Sequence, residues 1–348
     1  MDIRLQSLQN WLATVLPGYQ LQIAPLAGDA SFRRYFRVQG TPNGSDKKRQ
    51  PMQWIVMDAP VEKENCAPFI AIANAWHAQG INVPEIHALD TTLGFILLSD
   101  FGDGVYLPAL NDKTADALYN RALQTLIYIQ QTRAVANYPL PPYDEALLAR
   151  EMALFKDWLI EKKLGLTLST QESELLADTF AKLIANATEQ PQVPVHRDYH
   201  SRNLMICEAN TPGVLDFQDA VIGPITYDLV SLLKDCYIVW PEKQVTNWAE
   251  DYLTLAQSVG LTSADKTQFL RWFELMGMQR HLKASGIFAR LSMRDGKHGY
   301  LADIPRTVDY IVSASSKFSE FSDFTLWLKE RVVPKLTTLS TPCETASA

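Results

Sequence analysis

Two short stretches of the chain place oxygen-bearing side chains at intervals suited to chemistry on a phosphate. The first reads His196-Arg197-Asp198-Tyr199-His200-Ser201-Arg202-Asn203 and the second Val214-Leu215-Asp216-Phe217-Gln218-Asp219. Phosphoryl transfer needs a group that orients an acceptor hydroxyl and receives its proton. It also needs hard oxygen donors for the divalent metal that bridges the phosphate oxygens. Asp198 has the chemistry for the first task. Asn203, through its amide oxygen, and Asp216, through its carboxylate, suit the second, with Mg²⁺ as the matching ion. Apolar runs at 204–206 and 214–215 flank these donors and would hold them rigidly. Taken singly, each residue reads better as a turn former or strand end. Their order and spacing between short apolar strands point to catalysis.

The same stretch admits a second chemistry. His196, Asp198 and His200 alternate, so on a strand they would share a face and could ligate Zn²⁺ or Fe²⁺ as in a metallohydrolase. That reading needs further ligands, and the remaining histidines, His77, His87, His281 and His298, form no ligand-spaced cluster.

The elements around these residues follow from periodicity. An amphipathic helix opens the chain at 1–18, followed by strands at 19–27, 31–39 and 52–58, with a polar loop at 40–51. A helix is expected at 66–79, with Asn65 as cap, Pro68 in its first turn and Gly80 as its stop. Apolar segments at 85–89 and 94–98 run into Ser99-Asp100-Phe101-Gly102-Asp103. From about 112 the spacing turns helical, interrupted by short strands near 193–196, 204–207 and 213–216, and is helical again over 225–333. The expected fold is therefore α+β, with a small antiparallel sheet lobe at 1–99 and a mostly helical lobe at 100–336 carrying the 196–219 insert. A cleft between lobes would suit a ligand. Residues 337–348 are small and polar and read as a disordered tail.

Bulk properties exclude several classes. With 348 residues, 47% hydrophobic and 20% charged, the chain can bury a sizeable core without staples. A net charge of −7 and no long basic run argue against nucleic acid as partner. Cys66, Cys207, Cys236 and Cys343 have neither zinc-site nor disulfide-framework spacing, which suits a reducing compartment. The N-terminus lacks the pattern of a signal peptide, and no apolar run is long enough to span a membrane, so the cytoplasm is the expected location.

The segment 196–203 fits the H-R-D-x-x-x-x-N catalytic loop of protein kinases. Together with Asp216 and Gly223-Pro224-Ile225-Thr226-Tyr227-Asp228-Leu229, it resembles the aminoglycoside phosphotransferase and choline kinase superfamily, relatives of the protein kinases. A narrower resemblance is to bacterial kinases that phosphorylate N-acetylmuramate and N-acetylglucosamine at C1 in cell-wall recycling. It is carried by 28–36 (GDASFRRYF), Met57-Asp58-Ala59-Pro60, Gln279-Arg280-His281-Leu282-Lys283 and 286–290 (GIFAR). The resemblance implies a two-lobed protein-kinase-like fold, ATP and Mg²⁺, and an amino sugar as acceptor.

It further implies that Gly28 and Ser31 belong to the loop over the nucleotide phosphates, and that Leu98 and Asp100 belong to the adenine hinge. The superfamily usually carries a Lys on the third strand, and residues 54–58 (WIVMD) contain none. Arg33, Arg34 or Arg37 is left to replace it, with Arg34 conspicuous because it interrupts the apolar face of Phe32, Phe36 and Val38. Tyr199, Asp219, Arg280 and His281 are candidate acceptor contacts, while His196 and Asp228 are expected to support the loop. The missing Lys also leaves room for a catalytically dead binding module, and other acceptors (an aminoglycoside, choline, homoserine or a ketoamine sugar) stay open.

Overall fold

Alternating polar and apolar residues build an antiparallel sheet from β1 (Tyr19–Pro25), β2 (Arg34–Pro42), β3 (Met52–Asp58), β4 (Ile86–Asp90) and β5 (Phe95–Ser99), in the order β1-β2-β3-β5-β4. The computed structural model describes residues 2–26, 32–43, 50–132, 135, 138–207 and 211–336. The tail expected at 337–348 therefore lies outside the described residues. By contacts the chain forms two compact units that interleave in sequence. One comprises Met1–Tyr106, Thr132–Pro139 and Asn203–Asp219; the other comprises Leu107–Gln131, Leu140–Arg202 and Ala220–Ala348.

In the first unit, α1 (Ile3–Val15) starts where Asp2 accepts the backbone N–H groups of Arg4 and Leu5. It buries Leu8, Trp11 and Leu12 against Phe36, Val38, Trp54, Val56, Phe95 and Leu97 of the sheet. Arg34 sits on this helix-covered face because it answers a buried charge. Asp58 is fully buried, and it takes Arg34 Nη2 at 2.6 Å and Arg4 Nε at 2.5 Å. The opposite face of β2 presents Tyr35 and Arg37. Helix α2 (Ala67–Ala78) begins where Asn65 Oδ1 accepts Ala67 N at 2.9 Å. It buries Phe69, Ile72, Ala73 and Trp76, and Phe217 stacks on Phe69 with ring centroids 4.9 Å apart.

The helical unit opens after a short helix, α3 (Tyr106–Ala109). Its main elements are α4 (Ala115–Gln130), α5 (Glu145–Leu154), α6 (Thr170–Thr188), α7 (Tyr227–Leu233), α8 (Glu242–Ser258), α9 (Lys266–Asp295) and α10 (Ile304–Ser315). Strand β6 (Gln192–Val195) pairs antiparallel with β9 (Val221–Pro224) in this unit, whereas the two-residue strands β7 (Leu204–Met205) and β8 (Gly213–Val214) pair in the first. Strand β9 was not expected, because its Gly223-Pro224 end reads as a turn signal and its apolar run is short.

The axis of the helical unit is α9, whose buried residues run from Phe269 to Ser292. Gly286 lets it pass against the backbone where α5 ends. A Cβ there would lie 2.3 Å from Leu154 C and 2.5 Å from Phe155 N. Backbone cannot retreat as a side-chain tip can, so Gly286→Ala should destabilise the protein by about 1–3 kcal/mol despite the better helix propensity of Ala. Urea unfolding measures this, and an unchanged midpoint would contradict the close approach.

Candidate active site

Candidate residues fall in both units, and the chain crosses from one to the other between Arg202 and Asn203. In the first unit, Asn203 precedes β7 and Asp216 follows β8, and the short ladder holds them together. Leu204 pairs with Val214, and Leu215 N donates to Asn203 O at 3.0 Å. The two side chains meet, Asn203 Nδ2 lying 3.5 Å from Asp216 Oδ2, while Gln218 Nε2 donates to Asp216 Oδ1 at 2.7 Å. Asp216 has φ of 64°, a left-handed conformation that a non-glycine residue adopts at a cost of order 1–3 kcal/mol. Among the described residues it shares this with Arg197 alone, and both lie in the two stretches singled out above.

Asn203 and Asp216 line a cavity of about 450 Å³ whose walls include Ile55, Leu98, Met205 and Leu215. Apolar walls of this size with a few polar groups among them suit a purine nucleotide. Leu98 and Asp100 also line it. Gly28 and Ser31 lie outside the described residues. Among the described residues Arg37 is the cation of the cavity, paired with Asp100 at 2.7 Å and Asp103 at 2.7 Å. Arg33 pairs instead with Glu64 at 3.1 Å, and Arg34 is taken by Asp58 and Asp2 on the other sheet face. Arg34 is therefore corrected from nucleotide contact to counter-ion. A larger groove, about 950 Å³, borders α2 and carries none of the candidate residues.

The donor set fits Mg²⁺. An amide side chain and a carboxylate meet in the lining of the cavity, and this ion is held by one or two protein carboxylates, with phosphates and water completing its shell. Ligation requires Asn203 to present its oxygen, an amide orientation assigned from context. The Zn²⁺ or Fe²⁺ reading fails. Among the described residues no three His, Cys, Asp or Glu side chains gather as a metal site. His196 Nδ1 instead accepts the backbone N–H of Asp198 at 3.2 Å.

In the helical unit, residues 196–202 hang on buried acids. Asp228 at the start of α7 is fully buried and accepts His196 N at 2.6 Å and Arg197 N at 3.0 Å. Burial pushes its carboxyl up to about 7 against the pull of those donors. Asp235 takes Ser201 N at 3.1 Å and Ser201 Oγ at 2.5 Å. Arg197, with φ of 77°, is held in that conformation by an ion pair to Glu151. Glu151 also meets Lys283 Nζ at 3.2 Å and the Tyr143 hydroxyl.

Asp198 sits among these cations. Burial alone would raise its carboxyl, but the permanent charges nearby, Lys283 first and then Arg280, bring it below the usual carboxylate value. Asp198 is thus ionised at neutral pH. His200 packs edge-on against Tyr237 with centroids 5.5 Å apart, and burial lowers its pKa so that it stays neutral. Arg202 lies over the same Tyr237 ring, 3.5 Å from its centroid.

Two acceptor candidates do not survive. Tyr199 is fully buried and its hydroxyl donates to Ala122 O at 2.8 Å, so it anchors the loop to α4. His281 is fully buried, bonded through Nε2 to Lys234 O at 2.8 Å and stacked on Tyr310. Burial and Arg280 lower its pKa to about 3. Asp219 lies exposed in the turn after Gln218, and Arg280 is buried in α9. Sequence reading missed Glu151 and the role of Lys283. The available signal was a Glu between Leu148 and Met152 on a buried helical face, and a Lys three residues after Arg280.

Residues 22–270 match the model of the phosphotransferase enzyme family, and the chain belongs to that family. The protein is an ATP-dependent kinase. It is 43% identical to the N-acetylmuramate/N-acetylglucosamine kinase of Pseudomonas putida over 335 residues, covering 92% of this chain and 95% of that one. It is 39% identical to the protein of the same name from Neisseria meningitidis serogroup B, covering 93% and 95%. In fold it resembles choline kinase LicA from Streptococcus pneumoniae, with a TM-score of 0.59 at 12% identity over 88% of this chain and 98% of that one. The ADP-bound aminoglycoside phosphotransferase APH(2'')-Ib gives 0.55 at 13% identity over 89% and 98%. The expected α+β, protein-kinase-like fold of a sheet lobe and a helical lobe is thus the fold of this chain.

Asp228 generates two predictions. Asp228→Ala orphans two buried N–H groups and should cost about 2–5 kcal/mol of stability by chemical denaturation. As pH falls through about 7 the wild-type carboxyl takes a proton and gives up one of its two acceptor bonds, so kcat/KM should fall on that side. Asp228→Asn should show a low kcat/KM without this limb. Persistence of the limb in the variant would assign it elsewhere.

Proposed function

We propose that the protein transfers the γ-phosphate of ATP, as its Mg²⁺ complex, to the anomeric hydroxyl of an N-acetylated amino sugar, N-acetylmuramate or N-acetylglucosamine. The reading is carried by similarity to kinases named for those two sugars that extends over 95% of their length and takes in the loop that holds Asp198. In this reading the acceptor hydroxyl donates a hydrogen bond to Asp198, which receives its proton as the phosphoryl group arrives. A carboxylate held low by neighbouring cations is a weak base, and it suits this acceptor: a hemiacetal hydroxyl is more acidic than an ordinary alcohol. The transition state is loose, so orientation by Asp198 contributes more than early deprotonation.

Asn203 and Asp216 would hold Mg²⁺, which when bound neutralises charge on the phosphate oxygens. Leu98 and Asp100 would border the adenine, and Arg37 would supply positive charge from β2 in place of a Lys on β3. His196 and Asp228 act on the loop and do not touch the acceptor. A cytoplasmic role in recovering cell-wall amino sugars agrees with the demand for ATP and with Cys66, Cys207 and Cys236 being free.

With either sugar, ADP release should require Mg²⁺, and the product phosphate should be labile to mild acid, as in a sugar 1-phosphate. An acid-stable product would retain the kinase and exclude the anomeric position. Asp198→Asn should lower kcat by at least about 10²-fold with little change in KM for ATP. Undiminished turnover would remove Asp198 from its role.

A further inference from the structure

Every other buried cation of the helical unit discussed here has a carboxylate partner. Arg197 and Lys283 share Glu151, and Lys234 meets Glu274 at 2.8 Å. Arg280 differs. It is 6% exposed, and no carboxylate among the described residues lies within ion-pair distance of it. Its one hydrogen-bond contact is a weak one, from Nη1 to Cys236 Sγ at 3.8 Å, and its buried Nε has no partner. A guanidinium cannot shed its proton, and burying it with no carboxylate in contact is costly, a cost that the more distant Asp198 and Asp235 offset only in part. Such a group is explained by an anion that arrives with a ligand.

The position of Arg280 identifies the ligand. It shares a face of α9 with Lys283, three residues on, and its charge is felt by Asp198 in the same unit. The nucleotide cavity and the candidate metal ligands belong to the other unit. The anion is therefore sought on the acceptor. N-acetylmuramate is N-acetylglucosamine with an added lactyl ether, and the lactyl carboxylate is the one charge by which the two sugars differ. We infer that Arg280 is the receptor for that carboxylate and so sets the preference between the two acceptors. This rests on the amino sugar reading above.

The experiment compares kcat/KM for N-acetylmuramate, its neutral lactyl carboxamide and N-acetylglucosamine, in wild type and in Arg280→Met. Wild-type turnover of N-acetylglucosamine is checked first, and its absence would defeat the amino sugar reading. Given that turnover, wild type should prefer the acid to its amide by roughly 10- to 100-fold, the scale of a lost charged hydrogen bond. Arg280→Met should lose N-acetylmuramate by a similar factor beyond whatever it loses on N-acetylglucosamine, and should no longer distinguish acid from amide. Equal losses on both sugars, or a wild type indifferent to acid and amide, would overturn the assignment. The acid–amide comparison in wild type decides the matter even if the variant fails to fold.

Discussion

The loop over 196–203 depends on one buried carboxylate receiving two backbone N–H groups. Asp228 fixes the backbone at His196 and Arg197, and everything from Asp198 onward takes its direction from that point. The bonds also make a costly conformation tenable. Arg197 would not choose a φ of 77° unaided, but its N–H is held by Asp228 and its guanidinium by Glu151. Asp235 repeats the device at Ser201. A loop gripped by buried acids at both ends keeps Asp198 in place without itself being buried in a sheet.

Holding buried acids requires buried cations, and the helical unit supplies them from α9. Lys283 answers Glu151, and burial, which would lower its pKa, is outweighed by Tyr227 and Glu151 so that it stays charged. The same cations keep Asp198 ionised. Positioning and protonation state therefore have a common source. The long helix that carries these charges reaches the loop region because Gly286 allows it to lie against the end of α5.

The sheet unit solves a different problem. On β2, Arg37 lines the cavity that Asn203 and Asp216 also line, while Arg34 takes the other face of the sheet. Strand alternation decides which arginine does which. Odd and even positions face opposite sides of the sheet, so Arg34 neutralises buried Asp58 under α1 while Arg37 faces the cavity.

The sequence by itself determined the fold class, most of the strands and helices, and the candidacy of Asp198, Asn203 and Asp216. These rest on periodicity and on short-range spacing, which the chain carries locally. It also pointed to Asp228 as a support, since an acid within an apolar helix must be answered by donors. It did not determine which of Arg33, Arg34 and Arg37 enters the cavity, that Tyr199 and His281 are sealed in the core, or that Glu151 pairs with Arg197 and Lys283. Those depend on which residues distant in sequence become neighbours, and on how much water each loses. Only the tertiary structure decides that, because the strength and partner of a charge are set by burial and proximity, which local sequence does not encode.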